Sequence, residues 1–454
     1  MSLVLAAIAC NRFGYGAQPG ELRAVSGDPR GWLLEQVAGE PHIPTELAST
    51  PAQGRRWLDY VEVRNRPDGS QDPEAVRNLL MTTSGPRRRT DTFLRTHAAV
   101  QSDKPFEERW VHFWSNHFTA AATRAVMVNI AGGYEHETIR PHIYGSFTDM
   151  LLAVSQSVGM LTYLDNIVSA GPNSPIARTG AYGLNENLGR EILELHTLGV
   201  EGGYTQRDVR ALAMLISGWG VGTPTDARPG EFRVLADAQE PGEIELLGKT
   251  YEQTIGSPAA GEEALRDLAR HPSTVEFVSF KLAQHFVSDD PPRSAVEQLK
   301  AVFVETGGDL RRLAQAVVGL DEAWDRENVK IRPPNDFVIA AFRATGAEDE
   351  IRDDYTSIAF DALTSLNQPA FRQPGPDGWK DTADAWIAPE ATVRRISWAH
   401  EFAYRMASPP DPRALAEQTI GPLASVSSLS EIARAADRAE GIALLLVSPE
   451  FQRR

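Results

Sequence analysis

Five of the chain's ten histidines, His112, His117, His136, His142 and His196, fall between residues 112 and 196. Chance would place about two in a window of that size. The same window holds Arg140, Asp165, Asn166 and the stretch "LNENLGREILELHTLGV". Imidazole and carboxylate together suit proton transfer or metal ligation. At about 100° per residue, Leu184, Leu188, Ile192, Leu195 and Leu198 share one helical arc. Glu191 falls inside that arc, with Asn187 and Glu194 on its margin, whereas Glu186 and Arg190 point away as an i,i+4 pair. In "FEERWVHFWSNHF" the apolar face is Phe106, Trp110, Phe113, Trp114 and Phe118, with His117 at its centre and His112 and Glu108 outside. His117 and Glu191 are therefore expected to point inward, where each needs a partner. A structural network would satisfy them through Arg140 and a backbone carbonyl. A functional site would use them on a substrate.

The elements that must position these groups read as helices. "SDKPFEERWVHFWSNHF" starts with a capping residue and a proline. "HPSTVEFVSFKLAQHFVSDDPP" suggests a capping box of Ser273 and Glu276, and "GGYTQRDVRALAMLISGW" one of Thr205 and Asp208. Strand signals are thin, confined to one short hairpin near 232–248. The fold class is all-α. Residues 366–390 combine proline, glycine and two tryptophans and are expected to pack as an ordered loop. The turn-rich 219–231 segment divides an N-terminal part, 1–218, from a C-terminal part, 232–454, unless both form one continuous domain.

A formal charge of -16 over 454 residues argues against a nucleic-acid partner and anionic membrane surfaces. One cysteine, Cys10, excludes intramolecular disulfides. No apolar run is long enough to span a membrane. The start, "MSLVLAAIACNRFGYGA", lacks a basic n-region and reads as the first helix, which gives a cytoplasmic expectation. Walker loops, HExxH and GxSxG are absent, and "HETIRPH" has the wrong spacing for a two-histidine site, with Pro141 interrupting it.

"NENLGREILELHTLGVEGGYTQRDVRALAMLISGW" closely resembles the signature of the bacterial family catalogued as domain of unknown function 1800. "NRFGYGA", "WVHFWSNHF", "ETIRPHIYGSFTDMLLAVSQS", "LTYLDN", "HPSTVEFVSFKLAQHFVSDDPP", "GDLRRLAQAVV", "QPAFRQPGPDGWKDTADAWI" and "LLLVSPEFQRR" extend the resemblance over nearly the whole chain. It implies a helical fold and, for many members, export and a gene neighbour encoding a sulfatase-like secreted protein. Without a signal of its own, this chain would need such a partner for export. Where members often carry His-Asp, this sequence has Gln239 and Glu240. His117, Asn187, Glu191, Glu194, Arg140, His142 and Asp165 all lie in the shared motifs.

Two functions emerge as expectations. One is an enzyme with a pocket between the 106–118 and 184–200 helices, doing acid–base or hydrolytic chemistry on a polar, glycan-like substrate. Its catalytic set would be His117, Glu191, Glu194 and Arg140, with Asn187, His142, Asp165, Trp379 and Trp386 binding substrate. A divalent metal, if one is held, would use His117, Glu191 and Glu194; the sequence leaves the cofactor undetermined. The alternative is a binding or maturation partner of a sulfatase-like protein, with the polar cluster structural.

Overall fold

The computed structural model describes residues 2–65, 71–180, 182–326, 330–347 and 355–454. The Pro105–His117 helix is the axis of the fold. Pro105 opens it, and twelve of its thirteen residues are buried, Asn116 being the exception. A helix with no solvent face must satisfy its polar residues internally. Its aromatic side is packed as expected: Trp110 lies against Phe113, Trp114 and Phe286, and Phe13 meets Phe106 and Phe286. Glu108, on the other side, accepts both guanidinium branches of Arg140 at 2.7 Å.

Most of the remaining regular structure is helical, as the periodicity predicts. The first helix, Ser2–Ile8, runs into a π-helical turn, Ala9–Phe13, that is wholly buried together with Cys10. One hydrophobic core extends from Ala6 to Trp324 and crosses the 219–231 segment. A second gathers residues between Phe337 and Phe451 around Tyr15, Ala99 and Val100. Among the described residues no helix is long and apolar enough to cross a membrane.

Three local expectations change. The single hairpin becomes two: Trp219–Val221 pairs with Phe232–Val234, and Gly242–Leu246 with Lys249–Gln253, both antiparallel. Ala236–Ala238 forms a 3-10 turn and Pro241 has no N–H to donate, so 232–248 cannot run as one ladder. The second hairpin turns at Leu247 and Gly248, both at positive φ, 50° and 78°. Leucine disfavours that conformation and so hides the turn from the sequence; Asp208 holds it by accepting the Leu247 N–H at 2.9 Å. The box predicted at Ser273 and Glu276 is absent because Pro272 occupies the first helical position. His271 therefore caps Pro272–Phe286, accepting from the Ser273 N–H, and Glu276 pairs with Lys300. The Thr205–Asp208 box is present on Gln206–Leu215.

The third change lies in the stretch carrying Glu191. It is α-helical only over Asn187–Glu191 and continues as a π-helical turn, Ile192–Thr197, with Leu198 N–H bonded to Leu193 O. The wider turn inserts a residue and rotates the downstream side chains off a 100° wheel. Glu186 and Arg190 form the predicted surface pair at 3.2 Å.

Candidate active site

A cavity of about 340 Å³ opens where Pro105–His117, the π-helical turn, Pro272–Phe286 and the 366–382 loop meet. A larger hollow of about 760 Å³ beside Leu94 and Ala98 contains none of the residues predicted from sequence. The 366–390 loop is ordered, as predicted. Asn116 holds it from the central helix, donating to Trp379 O at 2.9 Å and accepting from Trp379 N–H at 2.8 Å. Gly378, at φ 76°, is required there, since a Cβ would stand 2.6 Å from Asn116 O. Trp379 lines the cavity. Trp386 is buried behind it, ring centres 6.0 Å apart, and donates to Lys380 O at 2.9 Å.

Three histidines line this cavity, each with one ring nitrogen held and the other without a partner. His285 Nδ1 is 2.7 Å from Asp381. Lys330 donates to the Asp381 carbonyl at 2.6 Å and lies 3.7 Å from its carboxylate, with Arg454 at 3.4 Å. Burial would raise Asp381, yet His285, Lys330 and Arg454 together hold it well below the usual carboxylate range. With its charge shared among cations, Asp381 cannot keep His285 protonated: burial outweighs it and lowers His285 to about 4. The imidazole is neutral at pH 7, its Nδ1–H donates to Asp381, and Nε2 carries a lone pair.

His112 presents the complementary polarity. Its Nδ1 faces the Tyr15 hydroxyl, which burial keeps protonated. Tyr15 O–H donating to Nδ1 leaves Nε2–H as a free donor. Arg109 lies 4.3 Å over the Tyr15 ring and is held by Asp336 at 2.7 Å and Gly14 O. His117 donates from Nε2 to His196 O at 3.1 Å. Burial, then the charge of Lys281, keeps it neutral, so Nδ1 is a second lone pair. Glu135 completes this wall, accepting from Arg95 at 2.9 Å and Ser115 Oγ at 2.6 Å.

Of the residues predicted from sequence, His117, Glu194 and Trp379 line the cavity. Glu194 also accepts from Tyr204 at 3.3 Å. Glu191 is half-buried beside it; burial, then Glu194, raises it to about 7. Among the described residues no hydrogen bond or ion pair joins Glu191 to His117, whose partner is a backbone carbonyl. Arg140 is not at the cavity, being sealed against Glu108 and His42 O. Asn187 is exposed. His142 bonds to Thr138 O at 2.9 Å, and Asp165 pairs with Arg124 at 2.5 Å on the surface. Among the described residues no three His, Cys, Asp or Glu side chains converge as a metal-ligand set, so His117, Glu191 and Glu194 do not form one. Gln239 and Glu240 are structural here: Gln239 bonds to Ser257 O and the Gly256 N–H, and Glu240 accepts from Asn173 N–H at 2.8 Å.

Sequence reasoning misses Tyr15, Arg109, His112, Lys281, His285 and Asp381. All but Arg109, which immediately precedes "WVHFWSNHF", lie inside a motif that carries the family resemblance, and that is the signal that could have found them. His112 escapes because it leaves the apolar face of a helix whose other face, on periodicity alone, should meet water.

Fold and cavity together define a helical protein whose core encloses a histidine-lined pocket. The chain belongs to the family described as Protein of unknown function (DUF1800), matched over residues 8–453. No curated protein and no solved structure matches it.

Proposed function

We propose that this protein is an enzyme performing acid–base or hydrolytic chemistry on a polar substrate in the 340 Å³ cavity, with His285 as general base. One observation carries the reading: a buried imidazole lines the cavity with Nδ1 fixed by Asp381 and Nε2 unpartnered. A buried polar atom without a partner is costly, and here a substrate or water proton would satisfy it. Asp381 selects the tautomer and the lysine and arginine behind it stabilise the carboxylate, an arrangement suited to proton abstraction at Nε2. His112 Nε2–H would donate to an oxygen on which negative charge develops. Trp379 offers an indole wall for a sugar ring or another flat group.

The test is turnover of a panel of nitrophenyl glycosides, esters, phosphates and sulfates by the wild type and by His285→Gln. At least one substrate should be consumed, and the substitution should slow it by about 10²–10⁴-fold. A His285→Gln protein as fast as the wild type would remove His285 from the reaction.

A further inference from the structure

The chain has six lysines, Lys104, Lys249, Lys281, Lys300, Lys330 and Lys380. Five are ion-paired: Lys104 with Glu107, Lys249 with Glu263 and Asp267, Lys300 with Glu276 and Glu297, Lys330 with Asp289, Lys380 with Asp377. Lys281 alone has neither a carboxylate within ion-pair distance nor a hydrogen-bond partner among the described residues, and it lines the cavity. Its Nζ stands over an aromatic ring, 5.6 Å from the Phe277 ring centre. Leu195, Val200 and Phe280 line the same cavity.

We propose that Lys281 is a nucleophile that forms an imine with a carbonyl-bearing substrate. An unpaired lysine in a pocket could instead hold an anion, but the lining opposes that. It carries five carboxylates, Glu135, Glu194, Asp336, Asp377 and Asp381, against four cations, Arg95, Arg109, Lys281 and Lys380. A neutral carbonyl compound meets no such repulsion, and the apolar neighbours favour the uncharged amine. Burial lowers the Lys281 pKa, with Asp381 and Asp377 opposing it. His117 is near enough for the Lys281 charge to depress it further, and its free Nδ1 is an acceptor for the protons that must move. In the step itself the Nζ lone pair bonds to the carbonyl carbon as the C=O π bond opens. One proton passes from nitrogen to the oxygen to give a neutral carbinolamine. A second proton converts the hydroxyl to water, which leaves as the nitrogen lone pair forms the C=N bond. The resulting iminium gives up its last N–H proton, restoring the proton that was taken up. No oxidant or reductant is needed.

This inference deepens the acid–base reading by naming a substrate class, yet its test needs no turnover. The full-length protein is incubated with benzaldehyde and cyanoborohydride at neutral pH, and benzylated lysines are mapped by peptide mass spectrometry. Lys281 should be labelled several-fold faster than Lys249 or Lys380, since burial away from any ion-paired carboxylate leaves more of its amine uncharged. The same preference should persist in His285→Gln, so failure of the base assignment and failure of the imine assignment remain distinguishable. Lys281→Arg should lose the fast labelling and keep the slow background. Labelling of Lys281 in the folded wild type no faster than at the ion-paired lysines would overturn the proposal, whatever the fate of the variant.

Discussion

His196 gives a quantitative test of the buried histidines that needs no substrate. It is 1% exposed, neither ring nitrogen has a partner, and its ring sits 5.2 Å from that of Phe118. Burial, with Lys281 adding to it, lowers its pKa from 6.5 to about 3. The folded-state value lies below the unfolded one, so the neutral ring contributes stability above pH 6.5 that is lost as pH falls, because the unfolded chain takes up the proton first. Between pH 8 and pH 5 the unfolded state gains about 1.5 decades of protonation at 1.36 kcal/mol each, about 2 kcal/mol. That figure depends on the unfolded value alone as long as the folded one stays below about 4. His196→Leu removes the titration and two unsatisfied polar atoms while leaving the backbone carbonyl that holds His117. Denaturant unfolding of wild type and variant at both pH values isolates the effect, since packing changes cancel in the difference. The variant should gain about 2 kcal/mol relative to wild type on going from pH 8 to pH 5. An equal difference at both pH values would mean that His196 is hydrated or protonated in the fold, and the assignment of neutral buried imidazoles would fail with it.

Arg140→Met should destabilise the fold by about 3–5 kcal/mol, because it leaves the fully buried Glu108 carboxylate without its cation. Adding Glu108→Leu should recover most of that in the same unfolding assay. The effect of Glu191→Gln on stability should depend on pH. The Glu191 carboxyl has a folded pKa raised from 4.5 to about 7, so its contribution is favourable at low pH and lost as pH rises through 7. Thermal unfolding should find the glutamine variant more stable than wild type above pH 7 and without that gain below pH 4.5; water screens the half-buried group, so the appearance of the gain with rising pH, not its size, is the observable.

Much of the fold is legible in the sequence because helical periodicity, prolines at first turns and caps are local signals. The inward turn of His117, the surface pairing of Glu186 with Arg190 and the ordered tryptophan loop all come from such signals. The failures depend on contacts distant in sequence. Arg140 is expected at a substrate, but it closes on Glu108, thirty-two positions earlier. His285 gains its meaning from Asp381, ninety-six positions away, and no periodicity joins the two. The π-helical turn at Ile192–Thr197 defeats the wheel for a different reason, since a 100° step has no provision for an inserted residue. Thus Glu194 reaches the cavity while Glu191, the more inward of the two on paper, stays at its edge.

The buried ionisable groups separate into two kinds, and the separation bears on function. Arg140 with Glu108 and Arg56 with Asp91 are paired through both guanidinium branches and line neither of the two cavities described above; folding alone accounts for them, as such pairs leave little to offer a ligand. His112, His117 and His285 differ. Each is fixed at one nitrogen, by Tyr15, a backbone carbonyl and Asp381 in turn, and each leaves the other nitrogen buried without a hydrogen-bond partner. Burial alone calls for both ring nitrogens to be satisfied; these three rings are oriented at one nitrogen and lack a partner at the other, whereas His196 has a partner at neither. Half-satisfied rings face one cavity from two helices, beside the one lysine left unpaired among the described residues. That arrangement supports the proposed site, which needs orientation supplied by the protein and one nitrogen of each ring left for a substrate.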